Sequence, residues 1–198
     1  IMSHYFTNDN DNDLKGKTFN IRIKNNNYTF QTSSGVFSKD YLDFGSKILI
    51  ESVIIEENDA EILDLGCGYG PVGIVFAKEN PIKNIMMIDI NNKAVELAKI
   101  NAKLNSVSNV KIINNDLLNN INKTFDVIIT NPPIRAGKKT VFDLYEQSYN
   151  SLNNKGKLYV VIQKKQGAPS TFDKLTEMFG KVEVVRKVKG YWIIKANK

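Results

Sequence analysis

A chain of 198 residues, 42% hydrophobic and 24% charged, can bury a core without staples and reads as one domain or one domain with a small extension. Its one cysteine, Cys67, excludes an internal disulfide; with a single histidine beside it no Cys/His zinc site can form, and no metal is expected. The formal charge of +6 permits a polyanionic partner without requiring one, and no membrane-length apolar run or leader-like start is found, so the expectation is a reducing cytoplasm.

Residues 18–32 read as a hairpin: Phe19, Ile21 and Ile23 alternate with polar residues, Asn25-Asn26-Asn27 supplies a turn, and Tyr28-Thr29-Phe30 continues. A helix follows near Asp43, a good N-cap, with Ile48, Leu49 and Val53 on one face. From residue 60 short apolar strands alternate with helices. The strands are placed at 61–65, 84–90, 110–114, 125–130 and 157–163, and the helices at 71–78, 92–105 and 140–152. Runs such as Val127-Ile128-Ile129 are apolar throughout, as in strands covered on both faces, which points to a doubly wound α/β sheet. A last helix at 170–179 precedes two strands, 182–188 and 191–196, whose two-residue link Lys189-Gly190 makes them antiparallel. Tyr191 and Trp192 are taken as strand core. The 25 asparagines are read as compositional bias, not function.

Four sites carry the chemistry. Asp64-Leu65-Gly66-Cys67-Gly68-Tyr69-Gly70-Pro71 follows a strand and opens a helix, where glycines let the backbone approach a ligand. Gly68, Gly70 and Gly73 also match the G-x-G-x-x-G of dinucleotide binders. Asp64 argues against that ligand: a carboxylate beside the loop repels a pyrophosphate and attracts the sulfonium and ammonium groups of S-adenosylmethionine. Asp89, at the next strand end, can accept bonds from two ribose hydroxyls, although Asn91 is the better cap for the helix that follows. Asp116, after the third strand, can accept from an adenine amino group with Leu117 against the ring. In Asn131-Pro132-Pro133-Ile134, the asparagine side-chain carbonyl and the next backbone carbonyl can both accept from a target NH₂, which fixes its lone pair for in-line methyl transfer. Cys67 has no basic partner in view and is read as a small loop residue, not a nucleophile.

This series of motifs resembles the class I S-adenosylmethionine-dependent methyltransferases that act on exocyclic amines. More narrowly, Gly35-Val36-Phe37-Ser38, residues 64–71, residues 131–138 and residues 163–168 resemble the small-subunit ribosomal RNA guanine methyltransferase family, over most of the chain. The resemblance implies a Rossmann-like sheet of seven strands, mostly parallel with the last antiparallel. It implies an extension over residues 1–58 and an S-adenosylmethionine-binding domain over 59–198. By the same resemblance Asp64, Gly66, Gly68 and Gly70 hold the methionine end, Asp89 the ribose and Asp116 the adenine; Ile90 and Leu117 are further expected cofactor contacts. Asn131, Pro132 and Pro133 are the expected catalytic loop; Phe37, Ile134, Arg135 and Lys138 are the expected substrate contacts. Ile134 departs from the Tyr or Phe that many Asn-Pro-Pro enzymes use to stack the target base, which turns the expectation away from DNA adenine and protein glutamine. The length leaves no room for the duplicated domain some ribosomal members carry.

Residues 135–165 carry seven Lys/Arg against two acids and residues 181–198 six against one, so basic excess flanks the expected acceptor loop. Arg135, Lys138, Lys139, Lys164 and Lys165 are candidate phosphate contacts, and rRNA or the small subunit is the expected partner. The competing readings are methyl transfer to a protein or small molecule, a nicotinamide-dependent oxidoreductase, and an RNA-binding module without turnover.

Overall fold

The structure is a computed structural model that describes residues 16–33 and 42–198. Phe37 and the 35–38 motif lie outside the described residues. The hairpin forms from β1 (Thr18–Ile23) and β2 (Asn26–Gln31), antiparallel with Phe19 opposite Phe30. Its turn is the two residues 24–25, with Lys24 at φ +53; Asn26 and Asn27 belong to β2, because a two-residue turn matches the twist of the strands better than a three-residue one. Helix α1 (Phe44–Ser52) starts at Asp43, whose carboxylate accepts the Ser46 N–H at 2.9 Å.

The central sheet holds β3 (Glu61–Leu65), β4 (Asn84–Asp89), β5 (Val110–Asn114), β6 (Phe125–Thr130), β7 (Leu152–Gln163), β8 (Lys181–Val188) and β9 (Tyr191–Asn197). Their order is β5-β4-β3-β6-β7-β9-β8. β3 to β7 pair in parallel, while β9 runs antiparallel between β7 and β8. Helices α2 (Pro71–Glu79), α3 (Asn92–Leu104), α4 (Lys138–Ser151) and α5 (Ala168–Met178) complete the chain. Alternate residues of each strand feed two cores. Ile62, Val127, Ile129 and Val161 pack with α1, α2, α3 and the hairpin; Leu63, Leu65, Ile128 and Val160 pack with α4 and α5. This is the layered α/β architecture expected from the apolar strands. The strand order reverses at β3 and β6, and such a switch opens a crevice at the carboxyl ends of the strands.

Several expectations are corrected in detail. β4 ends at Asp89, leaving Ile90 outside the strand and 70% exposed. β7 begins at Leu152, five residues early. A bulge opposite Phe125 and Val127 admits Asn153–Gly156, and the Lys155 N–H and Gly156 carbonyl pair with the backbone of Lys198. Tyr191 and Trp192 are only half-buried, since they lie at the rim of the sheet. Some asparagines do specific work: Asn101 on α3 and Asn105 at its C-cap clamp β2 as a neighbouring strand would. Asn105 accepts from the Thr29 N–H at 2.9 Å and donates to its carbonyl at 2.8 Å; Asn101 does the same for Gln31 at 2.7 and 3.0 Å.

Candidate active site at the carboxyl ends of the strands

The loop after β3 is pinned from below. The Gly66 and Cys67 N–H groups both donate to the Ile88 carbonyl, at 2.8 and 2.9 Å, and the Thr130 hydroxyl donates to the Leu65 carbonyl at 2.8 Å. Gly68 lies at φ +56 with nothing within 4 Å of where a Cβ would stand, so the left-handed backbone, not crowding, requires glycine there. Gly73 is different: a Cβ would meet Met87 at 2.7 Å, so this glycine seats α2 against the sheet.

Asp64 is 4% exposed, and its Oδ2 accepts the Gly73 N–H at 2.9 Å. It thereby caps the N-terminus of α2, which has no other side-chain cap. A carboxylate thus fills the helix end where a dinucleotide would place its pyrophosphate, and this geometry opposes the nicotinamide reading. No described residue donates to the other oxygen. Burial and the nearby Asp89 charge push the Asp64 pKa up to about 7 against the Gly73 bond, from an ordinary 3.8. Burial, with Asp64 and Asp89 beside it, also drives the Cys67 thiol pKa upward, which removes it as a nucleophile.

Asp89 accepts the Gly68 N–H at 2.8 Å on Oδ2 and the Asn91 N–H at 2.9 Å on Oδ1, so it fixes the glycine loop while keeping free lone pairs. Asn91 caps α3 through Ala94, as expected. The Asn114 amide donates to the carbonyls of Asp89 and Ile90, at 3.1 and 2.7 Å, and holds that strand end. Leu117 sits at φ +47, a strained conformation for leucine, and Asn115 braces it by donating to its carbonyl at 2.9 Å. Asp116 is exposed and makes no side-chain bond to a described residue. The rim of this crevice therefore presents two carboxylates with accepting capacity and two apolar side chains, Ile90 and Leu117.

A cavity of about 210 Å³ joins the glycine loop to the Asn-Pro-Pro loop. It is lined by Asp64, Gly66, Gly68 and Asn131, and also by Asp43, Ser46 and Leu49 of the α1 start. Sequence reasoning missed the α1 residues; Asp43 was read only as a cap. A Cβ at Gly45 would stand 3.3 Å from Tyr191, 3.4 Å from Asp43 and 3.5 Å from the Asn131 Nδ2, so the helix start approaches the Asn-Pro-Pro loop closely. Asn131 is exposed, and its amide makes no bond to a described residue. Pro132 is buried and its carbonyl accepts the Ile134 N–H at 2.9 Å, with one lone pair left. Pro133 is exposed, and its carbonyl accepts the Ala136 N–H at 3.0 Å.

The expected substrate contacts separate. Ile134 and Lys138 line a second cavity, of about 220 Å³, with Phe142 and Gln166, away from Asn131. Arg135 is exposed on a short turn, Ile134–Ala136. The donor set at the first cavity fits S-adenosylmethionine: a buried carboxylate with a free oxygen for a cationic group, open backbone at Gly68, and accepting groups and apolar side chains beyond Asp89.

The methyltransferase small domain model matches residues 27–195. The uncharacterized protein YbxB of Bacillus subtilis (strain 168) is 49% identical over the full length of both chains. Ribosomal RNA small subunit methyltransferase C of Photorhabdus laumondii is 34% identical over 87% of this chain and 51% of its own length, so the chain spans about half of that relative. A T. thermophilus 16S rRNA N2 methyltransferase, solved with AdoMet and guanosine, superposes with a TM-score of 0.78 at 24% identity. That match covers 92% of this chain and 50% of the other and speaks for the fold.

Proposed function

The chain belongs to the methyltransferase small domain family and is an S-adenosylmethionine-dependent methyltransferase; from that premise we propose that its acceptor is the exocyclic 2-amino group of a guanine in small-subunit rRNA. The observation that carries the reading is the Asn131 amide, exposed and unengaged by described residues beside the cavity that Asp64 and the glycine loop line. A relative aligned over 87% of this chain is named a small-subunit rRNA methyltransferase, which supports RNA as the acceptor class.

S-adenosylmethionine supplies an electrophilic methyl group on a sulfonium when bound. Asp64, Gly66, Gly68 and Gly70 would hold its methionine end, Asp89 the ribose, Asp116 and Leu117 the adenine, with Ile90 beside them. The Asn131 Oδ1 and the remaining lone pair of the Pro132 carbonyl accept the two N–H bonds of the guanine amine. That pairing would fix the orientation of the amine nitrogen's lone pair, and the buried Pro132 keeps the two acceptors from drifting. The positive charge that methylation would place on the amine nitrogen would be stabilised by the Asn131 and Pro132 carbonyls. The extra proton then leaves to water on the exposed face, so no strong base is required.

Labelled methyl transfer tests the assignment. The chain is incubated with labelled S-adenosylmethionine and, separately, small subunits, naked rRNA and ribosomal protein, and the RNA is digested to nucleosides. The expected product is N2-methylguanosine. Label in protein alone, or in no RNA, contradicts the proposal.

A further inference from the structure

A larger concavity lies next to the Asn131 site. Where β7 ends, Gln163, Lys164, Lys165 and Pro169 face Lys189 and Tyr191 across an open cleft of about 630 Å³. That is within the range of small-ligand pockets, roughly 300–1,000 Å³. Its two sides are tied together: the Lys164 N–H donates to the Gly190 carbonyl at 2.8 Å, and the Gln163 amide donates to the Tyr191 hydroxyl at 2.7 Å. Lys164 and Lys165 are exposed and form no ion pair with a described acid, and no Asp or Glu is among the described residues that line the cleft. Lys189 lies 4.9 Å from the centre of the Phe44 ring. Three like charges around one concavity repel, and a polyanion relieves that repulsion.

Tyr191 connects this cleft to the acceptor loop. Its ring sets an edge against Phe44 at 5.4 Å between centres, and it reaches the same point over Gly45 that the Asn131 amide reaches. The acceptor loop itself carries Ile134 where an aromatic would stack on a base, so Tyr191 is the ring next to Asn131 among the described residues of this wall.

We propose that the cleft is a second nucleotide subsite, in which Lys164, Lys165 and Lys189 hold the phosphodiester, and Tyr191 stacks the base, of an RNA residue adjoining the target. The proposal rests on the rRNA reading. A strand crossing from Asn131 into the cleft would then be gripped on one side of the flipped-out guanine, which fixes the amine in the register that the two carbonyls require.

Fluorescence anisotropy of a labelled single-stranded oligoribonucleotide over a KCl series tests it, with calorimetric S-adenosylmethionine affinity confirming that each variant is folded. The Lys164→Ala/Lys165→Ala double variant is expected to bind about tenfold or more weaker. It should also lower the log–log salt slope by about 1.4, two phosphate contacts at about 0.7 each. Tyr191→Leu is expected to weaken RNA binding by about 5- to 150-fold at an unchanged salt slope, as loss of one stacked base does. Lys181→Ala, on β8 away from the cleft, is the control and should bind as the unaltered chain does. Wild-type affinity and slope in the double variant overturn the proposal, as does polyglutamate displacing the RNA as well as unlabelled RNA does. Absence of salt-dependent RNA binding in the unaltered chain overturns it too. Methyl transfer to rRNA measured in parallel separates these outcomes from failure of the rRNA reading.

Discussion

Asp126 opens β6 at one end of the sheet, Asp64 stands near the close of the neighbouring β3 at the other, and their carboxyls are pushed in opposite directions. Burial works against ionising Asp126, but N–H bonds from Glu61 and Ala60 and an amide bond from Asn153, each 2.9 Å long, outweigh it, and Lys83 adds to them. Its pKa falls below the usual range. Asp64 has one bond against its burial and a like charge beside it, and its pKa rises to about 7. Around Asp126 the charges answer one another: Lys157 reaches Glu56 at 3.0 Å and Asp59 at 3.4 Å, and the Lys83 ammonium donates to the carbonyls of Glu56, Glu57 and Asp59. Around Asp64, the Gly73 N–H is the one donor to the carboxylate among the described residues, and the Asp89 charge stands nearby. Of the two ends of one sheet, the first is finished within the chain, and the second fits a cationic, hydrogen-bond-donating ligand.

The largest expected break of this contrast is on stability. Lys157→Met removes the cation from a pair in which Lys157 and Asp59 have side chains only 9% and 11% exposed. It should cost about 3 kcal/mol in denaturant unfolding, with S-adenosylmethionine affinity unchanged. Next is cofactor binding. Asp89→Ala should weaken it by about 2 kcal/mol in calorimetry, because a charged acceptor and the brace on Gly68 go together.

The smallest effect is the sharpest in sign. Folded Asp64 keeps its proton to about pH 7, whereas the unfolded chain releases it near the ordinary 3.8. Its favourable contribution is therefore complete below the ordinary value and is lost as pH rises toward 7. Asp126, with a lowered pKa, contributes above the ordinary range and loses that contribution as pH falls through its folded value. Asp64→Asn should raise stability at pH 8 relative to pH 5 by about 1 kcal/mol or more, and Asp126→Asn should lower stability most above the carboxylate range. S-adenosylmethionine affinity should rise with pH up to about 7 in the unaltered chain, since a cation favours the carboxylate, and stay flat in Asp64→Asn.

Local punctuation made much of this visible in the sequence. β3, β5 and β6 end where they were placed because Gly66, Asn115 and the prolines after Asn131 stop them chemically. The acids at the strand ends were legible for the same reason, since a strand end is a place that local pattern defines. What escaped notice is what distant packing creates. Asp43 and Ser46 enter the cavity because α1 lies against β7 and β9, and no periodicity states that. The Asn153–Gly156 stretch of β7 reads as a turn until the Lys198 backbone pairs with it. Asn101 looks like one asparagine among many, yet it is fully buried and also donates to the Tyr69 carbonyl at 2.8 Å, linking the hairpin to the glycine loop.

On the proposed function, the open end binds the cofactor through its carboxylates and holds the acceptor amine through Asn131. Asn131→Ala separates the two roles. S-adenosylmethionine affinity and single-turnover methyl transfer to small-subunit RNA are measured on the same preparation. Near-normal affinity is expected, with transfer slowed by about 100-fold, the effect of losing the group that aims the amine; an unchanged transfer rate would show that Asn131 does not hold it.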